Sequence, residues 1–354
     1  MALTLFARKK SAGTEAQDVP IRTPRNMPPP EPSPDSVLAD FVPASPEKLD
    51  DDSIKRMLQQ RRFGLLVQNA GQCASQSDGA SLIRKAIAGI EETFAMVPAG
   101  TATLTESLTG NFAGKEGDLG VEPYLLARYP VTNRDFQLFV DDNSYENMDL
   151  WPEEIWPHLI EFHDLTDAPG PRFWREGRHD VRRCDHPLVG VSWHEAVAYC
   201  AWAGYRLPSE AEWQMAASWR IRSSADLLRR FPWGDAMDWT RCNLWNAGKG
   251  TTLPVTDYRN GVAPNGVCQL IGNVWEWVGT EFNVVADDGT PIVGEMPMMG
   301  VRGGAFDTYF ESQATAAFRT GQIALGRTHN LGFRCALDLN DARPQGGTMK
   351  GDGT

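Results

Sequence analysis

Tryptophan content is the feature of this sequence that most constrains its fold. The 354-residue chain contains 12 Trp, and most of them lie in one part of it. From Met96 onward the sequence is rich in Gly and aromatic residues and holds only a few clear helices. Because a loop-rich domain has few regular elements to bury, large aromatic side chains must supply much of its buried area. We therefore predict a core built on tryptophan.

Three helices of this region can be predicted from the residues that precede them. Thr132, Ser192 and Ser209 are each followed three residues later by an acidic residue, which is the spacing of a capping box. Short strands are predicted over 300–305 and 332–336. These elements do not alternate as βαβ units, and no Gly-rich phosphate loop follows a strand. The sequence therefore predicts an irregular, loop-rich α+β fold.

The chain divides into four segments. Residues 1–48 hold nine of the 24 prolines and few large apolar side chains, which predicts a disordered tether or, as the alternative, a polyproline ligand for a partner. Residues 49–95 carry apolar residues at helical spacing, so we predict short amphipathic helices that pack on the main domain or on a partner. The main domain is predicted over 96–339, and a disordered tail over 340–354. The first two segments together fit tethering to a larger assembly.

The composition excludes several classes of function. The 34 Lys and Arg against 46 Asp and Glu give a formal net charge of −12, which argues against binding to nucleic acid or to an anionic membrane. No run approaches the roughly 20 apolar residues of a membrane span. The first apolar stretch is short and precedes its basic residues, which is the reverse of a signal peptide. We therefore expect a cytoplasmic protein without membrane insertion.

Seven motifs stand in order along residues 96–338. They are YPVTN at 129–133, HPLVGVSW at 186–193, AYCAWAGYRLPSEAEW at 198–213, FPWGD at 231–235, GNVWEW at 272–277, RGGA at 302–305 and NLGFRC at 330–335. Together they resemble the formylglycine-generating enzyme (sulfatase-modifying factor) family. The resemblance implies a compact α+β fold related to C-type lectins, with little regular secondary structure.

The resemblance also locates the family's copper site. It assigns the positions of the two copper-binding cysteines to Thr308 and Gln313 of this chain. Cu(I) prefers soft thiolates, which a hydroxyl and an amide cannot replace. Since no Cys occurs between Arg302 and Arg334, copper-dependent formylglycine formation is not expected. Iron is not expected either, because the six His lack the His-x-x-x-His-x-Glu spacing of the sulfoxide synthases that resemble this fold.

Calcium is the metal that the resemblance predicts. Family members bind Ca²⁺ through side-chain and backbone oxygens, as hard cations require. The corresponding residues of this chain lie in two loops, with Asn243 and Leu244 in the first and Gln269, Gly272, Val274 and Glu276 in the second. The alternative is that both loops are tight turns held by hydrogen bonds alone.

The six Cys show no Cys-x-x-Cys spacing, so a zinc site is not expected. By the resemblance, Cys200 and Cys335 match two positions that are disulfide-bonded in secreted members, so they should lie close together. In a reducing cytosol we expect a buried pair of thiols, and a disulfide is the alternative.

Two classes of function stay open for the segment before the Gly-Phe-Arg motif. We favour a noncatalytic binding or scaffold protein with a protein or peptide partner, because mixed aromatic, amide and charged side chains suit a binding surface. One alternative is an atypical metal-dependent oxidase acting on a peptide or small molecule, and another is the variable protein of a diversity-generating retroelement. The predicted binding surface consists of Phe306, Asp307, Tyr309, Phe310, Glu311, Arg319, Arg327 and His329.

Overall fold

The computed structural model describes residues 49–104, 111–112, 117–219, 229–285, 291–292 and 296–342. The predictions for 1–48 and for most of the tail lie outside these described residues. The helices are α1 (Asp51–Gln59), α2 (Phe63–Gln68), α3 (Ala70–Ala74), α4 (Gly79–Thr93), α5 (Asn133–Asp141), α6 (Trp193–Ala203) and α7 (Glu210–Ser218). No helix among the described residues is long and apolar enough to cross a membrane.

Twelve short strands complete the described part of the fold and confirm the α+β prediction. They are β1 (Phe94–Val97), β2 (Gly100–Leu104), β3 (Asn111–Phe112), β4 (Gly117–Val121), β5 (Tyr124–Ala127), β6 (Trp275–Glu281), β7 (Val284–Val285), β8 (Pro291–Ile292), β9 (Met298–Arg302), β10 (Thr320–Ile323), β11 (Leu331–Phe333) and β12 (Ala336–Asp338). The largest sheet has the order β10-β9-β6-β11, in which β11 pairs with β6 in parallel and the other pairs are antiparallel. Smaller sheets have the orders β1-β5-β12, β3-β7-β8 and β2-β4.

The three predicted helix starts are confirmed. Thr132, Ser192 and Ser209 each accept a hydrogen bond from the backbone N–H three residues on, and the acidic residue there accepts one from the cap residue's own N–H. Each box satisfies two backbone donors that have no partner within the helix. Helix α6 then ends at Gly204, whose φ of 77° lies in the left-handed region that glycine adopts readily.

The predicted strands are displaced from the observed ones. The strand expected over 300–305 occupies Met298–Arg302 instead, because Gly303 has a φ of 99° and turns the chain out of the sheet. A Cβ on Gly303 would lie 2.7 Å from the carbonyl oxygen of Leu270, so a larger residue cannot take this position without a shift. The strand expected over 332–336 is divided between β11 and β12, which belong to different sheets.

The amphipathic segment before the main domain forms four short helices, α1 to α4. Helix α2 packs on α6, where Gly64 approaches the Gly204 backbone so closely that a Cβ would overlap its carbonyl oxygen. Arg62 donates to the Trp202 carbonyl at 2.7 Å, and its guanidinium lies 4.8 Å from the centroid of the Trp202 ring. These contacts join the helical segment to the domain that follows it.

Tryptophan supplies much of the core, as predicted. Trp151, Trp213 and Trp277 are among the largest fully buried side chains. Around α5 and α6, the rings of Phe136, Phe139, Tyr145, Trp151, Tyr199, Trp202 and Phe333 pack with centroid separations of 5.0–6.4 Å. Such tilted and edge-on pairs are the favoured arrangements of aromatic rings.

Candidate functional site

A cavity of about 220 Å³ is lined by residues from all four strands of the largest sheet. Its lining consists of Trp275, Val301, Gln313, Phe318, Thr320, Gly321, Gln322, Thr328, Asn330 and Leu331. We call it the Gln313 cavity. Its polar side chains are amides and hydroxyls, and none of these lining residues carries a carboxylate, imidazole, thiol or amine. The cavity therefore offers neutral hydrogen-bond donors and acceptors between aromatic and aliphatic walls.

The two positions that the resemblance assigns to copper cysteines, Thr308 and Gln313, differ in their surroundings. Thr308 is buried, and its hydroxyl accepts a hydrogen bond of 2.8 Å from the backbone N–H of Ala305. Gln313 ends a single-turn helix (Glu311–Gln313) and lines the Gln313 cavity. The Thr308 side chain therefore closes a turn, whereas the Gln313 side chain lines the cavity.

Three aromatic side chains form an exposed patch beside this turn. Trp245, Tyr309 and Phe310 are 55%, 63% and 61% exposed, whereas most aromatic residues of the described part are buried. The Trp245 and Tyr309 rings lie 6.3 Å apart, and the Tyr309 and Phe310 rings lie 5.2 Å apart and edge-on. The backbone N–H of Trp245 donates to the carbonyl of Thr308, which joins the two loops. We call these three residues the aromatic patch.

Polar residues flank the patch on the same segment. The Asp307 carboxylate accepts two hydrogen bonds from the Asn330 side chain, at 3.1 and 3.0 Å, and lies 3.3 Å from Nε2 of the exposed His329. Glu311 forms a partly exposed ion pair of 3.2 Å with Arg230. The structure thus brings Asp307, Glu311 and His329 to the surface with Tyr309 and Phe310.

Three residues of the predicted binding surface are buried, which corrects that prediction. Phe306, Arg319 and Arg327 are each less than a tenth exposed. Phe306 packs edge-on against the His329 ring at 5.8 Å. The two arginines point inward because buried carboxylates face them from distant parts of the chain.

Arg319 shares Glu210 with a second arginine. Nε and a terminal nitrogen of Arg319 donate to the two Glu210 oxygens at 2.9 and 2.8 Å, and Arg302 donates to the same carboxylate at 2.9 Å. Burial alone raises the pKa of Glu210, but the two guanidiniums outweigh it and hold the pKa below its usual value. The cluster fixes the end of β9 and the start of β10 against α7.

Arg327 is held in the same way by the α6 capping box. It donates to the Glu195 carboxylate at 3.1 Å and to the backbone carbonyls of Glu161, His163 and Gly170. Glu195 also accepts a hydrogen bond of 2.6 Å from the Tyr145 hydroxyl. Arg327 therefore anchors the 161–170 loop and has a structural role.

In the second predicted calcium loop, the negative charge of the Glu276 carboxylate is already balanced by an arginine. Glu276 accepts from Arg334 at 2.7 Å on both oxygens and from the Trp213 indole at 2.8 Å. Gln269 Oε1 accepts from the Asn273 amide at 2.7 Å, and the Gly272 carbonyl accepts from the Val274 N–H at 3.0 Å. The Arg334 guanidinium thus supplies the positive charge that a cation would supply at Glu276.

The first predicted calcium loop has an oxygen without a partner. Asn243 Oδ1 is buried and accepts no hydrogen bond among the described residues, while its Nδ2 donates to Thr251 and Asn273. The Leu244 carbonyl accepts from Ala247 at 2.9 Å. In the described residues, no group of three or more His, Cys, Asp or Glu is placed to hold a metal. Asn243 therefore supplies a neutral ligand atom without a carboxylate cluster around it.

Cys200 and Cys335 lie close together, as the resemblance implied. Their sulfur atoms are 3.6 Å apart, both side chains are buried, and both are free thiols in this structure. Burial raises the pKa of the Cys200 thiol well above its usual value, and the hydrogen bond to Cys335 acts in the same direction. The Cys200 sulfur is therefore not a reactive thiolate at neutral pH.

Two tryptophans at the candidate site, Trp245 and Trp275, could not be assigned to it from the sequence. Trp245 was expected in the core with the other tryptophans, and Trp275 gave no signal that separates a cavity wall from a core residue. Trp275 adjoins β11 and faces Phe318 with ring centroids 6.0 Å apart. The polar residues on both sides of Trp245, in 241–250, are the one local signal for its exposure.

Comparison with known proteins gives a consistent result. The sulfatase-modifying factor enzyme 1-like domain matches residues 80–339, a range that begins inside α4. The inactive C-alpha-formylglycine-generating enzyme 2 of Mus musculus is 30% identical over 249 residues, which cover 63% of this chain and 78% of that protein. The formylglycine-generating enzyme of Thermomonospora curvata is 33% identical over 261 residues, covering 62% and 83%. The hercynine oxygenase of Mycobacterium tuberculosis is 38% identical over 170 residues, covering 44% of this chain but only 37% of that protein.

Proposed function

This chain belongs to the family of the sulfatase-modifying factor enzyme 1-like domain, and on that premise we propose that it is a noncatalytic binding protein. The observation that carries the proposal is the pair of residues at the copper positions. The Thr308 hydroxyl accepts a hydrogen bond from the Ala305 N–H, and Gln313 carries an amide, so neither side chain supplies a thiolate. The mouse relative whose name describes it as inactive is consistent with loss of chemistry in this family.

A peptide is the ligand class that the chemistry of the surface favours. The Gln313 amide offers a donor and an acceptor, and Gln322 and Asn330 add an amide nitrogen and an amide oxygen, which suit the donors and acceptors of an extended backbone. The aromatic patch beside them offers large side chains with few rotatable bonds, which are typical of interaction surfaces. The absence of a titratable group from the cavity lining leaves no general acid or base within it.

The oxidase alternative makes a different demand on the protein. The hercynine oxygenase of Mycobacterium tuberculosis aligns over about a third of its own length, so its activity does not carry over to this chain. An oxidase would need a redox centre in or near the Gln313 cavity. The retroelement alternative uses the same surface for binding and would be distinguished by a template repeat near the gene.

The peptide proposal can be tested by selection from a random peptide display library on the full chain. Peptides selected on the native protein are expected to lose about tenfold or more of their affinity for Tyr309→Ala/Phe310→Ala, since exposed aromatic anchors dominate such contacts. Met96→Ala removes an exposed apolar side chain outside the patch and serves as the control. Equal losses for both variants, or stoichiometric copper or iron in the purified protein, would contradict the proposal.

We also propose that calcium, if bound in the first loop, takes Asn243 Oδ1 as a ligand. A site with few charged ligands is expected to be weak, with a dissociation constant of about 10⁻⁴–10⁻³ M. The midpoint of thermal unfolding should then rise between EGTA and millimolar CaCl₂ in the native protein and not in Asn243→Ala. A rise that persists in Asn243→Ala and disappears in Glu276→Gln would place calcium in the second loop instead.

The proposal extends to the location and the attachment of the protein. A cytoplasmic protein would keep Cys200 and Cys335 as the thiol pair described above, because the cytosol is reducing. The segment 1–48 is proposed as the tether to a larger assembly, with a protein partner as its target.

A further inference from the structure

A pocket that shares no lining residue with the Gln313 cavity lies in an arginine-rich part of the chain. It has a volume of about 490 Å³ and is lined by Asn133, Phe173, Trp174, Arg175, Arg178, His179, Asp180, Arg183, Pro187, Val189 and Thr252. Five arginines occur between 172 and 183, although the whole chain has a net charge of −12. A concentration of positive charge on an acidic protein requires a local explanation.

The charges around this pocket do not cancel. Arg178 is paired with Asp141 at 2.7 Å, and Asp180, the acidic residue of the lining, is paired with Arg182 at 2.7 Å. Among the described residues, no carboxylate oxygen forms an ion pair, within 4.0 Å, with Arg175 or Arg183. Two guanidiniums at the rim are therefore available to an anion.

The rim is built on a rigid turn. Arg175 and Arg178 exchange backbone hydrogen bonds of 3.0 and 2.9 Å, which places their side chains on the same face of the hairpin. Glu176 and Gly177 turn the chain with φ angles of 54° and 65°. Asp164, buried behind the turn, accepts the Gly177 N–H at 2.8 Å. The turn thus fixes the backbone that carries Arg175 and Arg178, and Arg183 ends a separate single-turn helix (Val181–Arg183).

The floor of the pocket is aromatic and also fixed. Trp174 is buried and donates its indole N–H to Asn133 at 3.1 Å. His179 lies 5.4 Å from the Trp174 ring and contacts Gln137 Oε1 through Nδ1 at 3.0 Å. Because the Gln137 amide nitrogen donates to the Gly177 carbonyl, its oxygen must accept, so Nδ1 of His179 carries a proton. Hydrogen bonds from the protein therefore fix both rings of the floor.

We propose that this basic pocket binds a small organic anion in which a phosphate or carboxylate group is attached to a flat apolar part. Guanidinium groups bind both oxyanions in a planar, bidentate geometry. The aromatic floor of Trp174 and the partly exposed Phe173 favour an apolar part beside the charge. The volume lies within the range of small-molecule sites, about 300–1,000 Å³.

The proposal is tested by calorimetric titration of the full chain with phenyl phosphate, benzoate, inorganic phosphate and benzyl alcohol. Phenyl phosphate or benzoate is expected to bind at one molecule per chain, and whichever binds more tightly identifies the oxyanion. Arg175→Gln/Arg183→Gln should weaken that binding by at least about tenfold. Both side chains are exposed, so the variant should unfold at the same urea concentration as the native protein.

Arg172→Gln/Arg259→Gln is the matched control, because it removes two exposed arginines that do not line the pocket. Unchanged binding in this control supports the proposal, and so does failure of benzyl alcohol to bind. Three results would overturn it: no binding of either aromatic anion, an equal loss in the control, or inorganic phosphate binding as tightly as the tighter of the two aromatic anions.

Discussion

Glu210→Ala is expected to lower the free energy of unfolding by about 3–5 kcal/mol. The substitution leaves Arg302 and Arg319 without their shared carboxylate, and both side chains are buried. Burial already lowers the pKa of Arg302 to about 10, which shows how strongly this position disfavours an uncompensated charge. Urea denaturation followed by tryptophan fluorescence measures the loss.

Glu311→Ala is the control for this prediction. It also removes a carboxylate from an arginine, but the Glu311–Arg230 pair is exposed, so we expect a loss of about 0–1 kcal/mol. If both variants lose the same amount of stability at an unchanged m-value, burial is not what makes the Glu210 cluster important.

Stability should also fall by about 2 kcal/mol between pH 7 and pH 5 through His194 alone. This side chain is buried at the start of α6, its ring is edge-on to Trp193 at 5.2 Å, and Nε2 has no partner among the described residues. Burial, with a smaller contribution from His158, lowers the pKa of His194 from 6.5 to about 4. The unfolded chain therefore takes up a proton first as the pH falls.

The sign of this effect follows from the lowered pKa. The contribution of His194 is complete above pH 6.5 and is lost progressively as the pH falls towards 4. His194→Phe, which cannot titrate, should lose less stability between pH 7 and pH 5 than the native protein does. His329→Phe, at an exposed position, should keep the native difference. Parallel pH curves for the native protein and His194→Phe would show that other groups govern acid sensitivity.

Local sequence signals predicted the helix boundaries well. A capping box is complete within four residues, so Thr132, Ser192 and Ser209 identify the starts of α5, α6 and α7 without any knowledge of the rest of the chain. The strands were predicted less well, because their limits depend on pairing with distant segments. β12, for example, pairs with β5, more than 200 residues earlier in the chain.

For the same reason, the exposure of residues in the proposed binding surface was predicted only in part. Tyr309 and Phe310 are exposed as expected, but an arginine in a loop looks the same in sequence whether it faces solvent or a buried acid. Arg319 meets Glu210 and Arg327 meets Glu195, at sequence separations of 109 and 132 residues. The charge of an arginine in 305–330 therefore did not show whether its side chain is buried against an acidic residue or exposed to solvent.

By itself the sequence determined the family, the α+β class and the absence of cysteine between Arg302 and Arg334, because each of these depends on residue identity at fixed spacing. The tertiary structure decided which side chains of 305–330 are available to a ligand and that Trp245 joins them. It also decided that Glu276 is compensated by Arg334 and that Arg175 and Arg183 line a pocket and have no carboxylate partner among the described residues. Exposure and ion pairing depend on contacts between residues far apart in the chain, and those contacts exist only once the chain has folded.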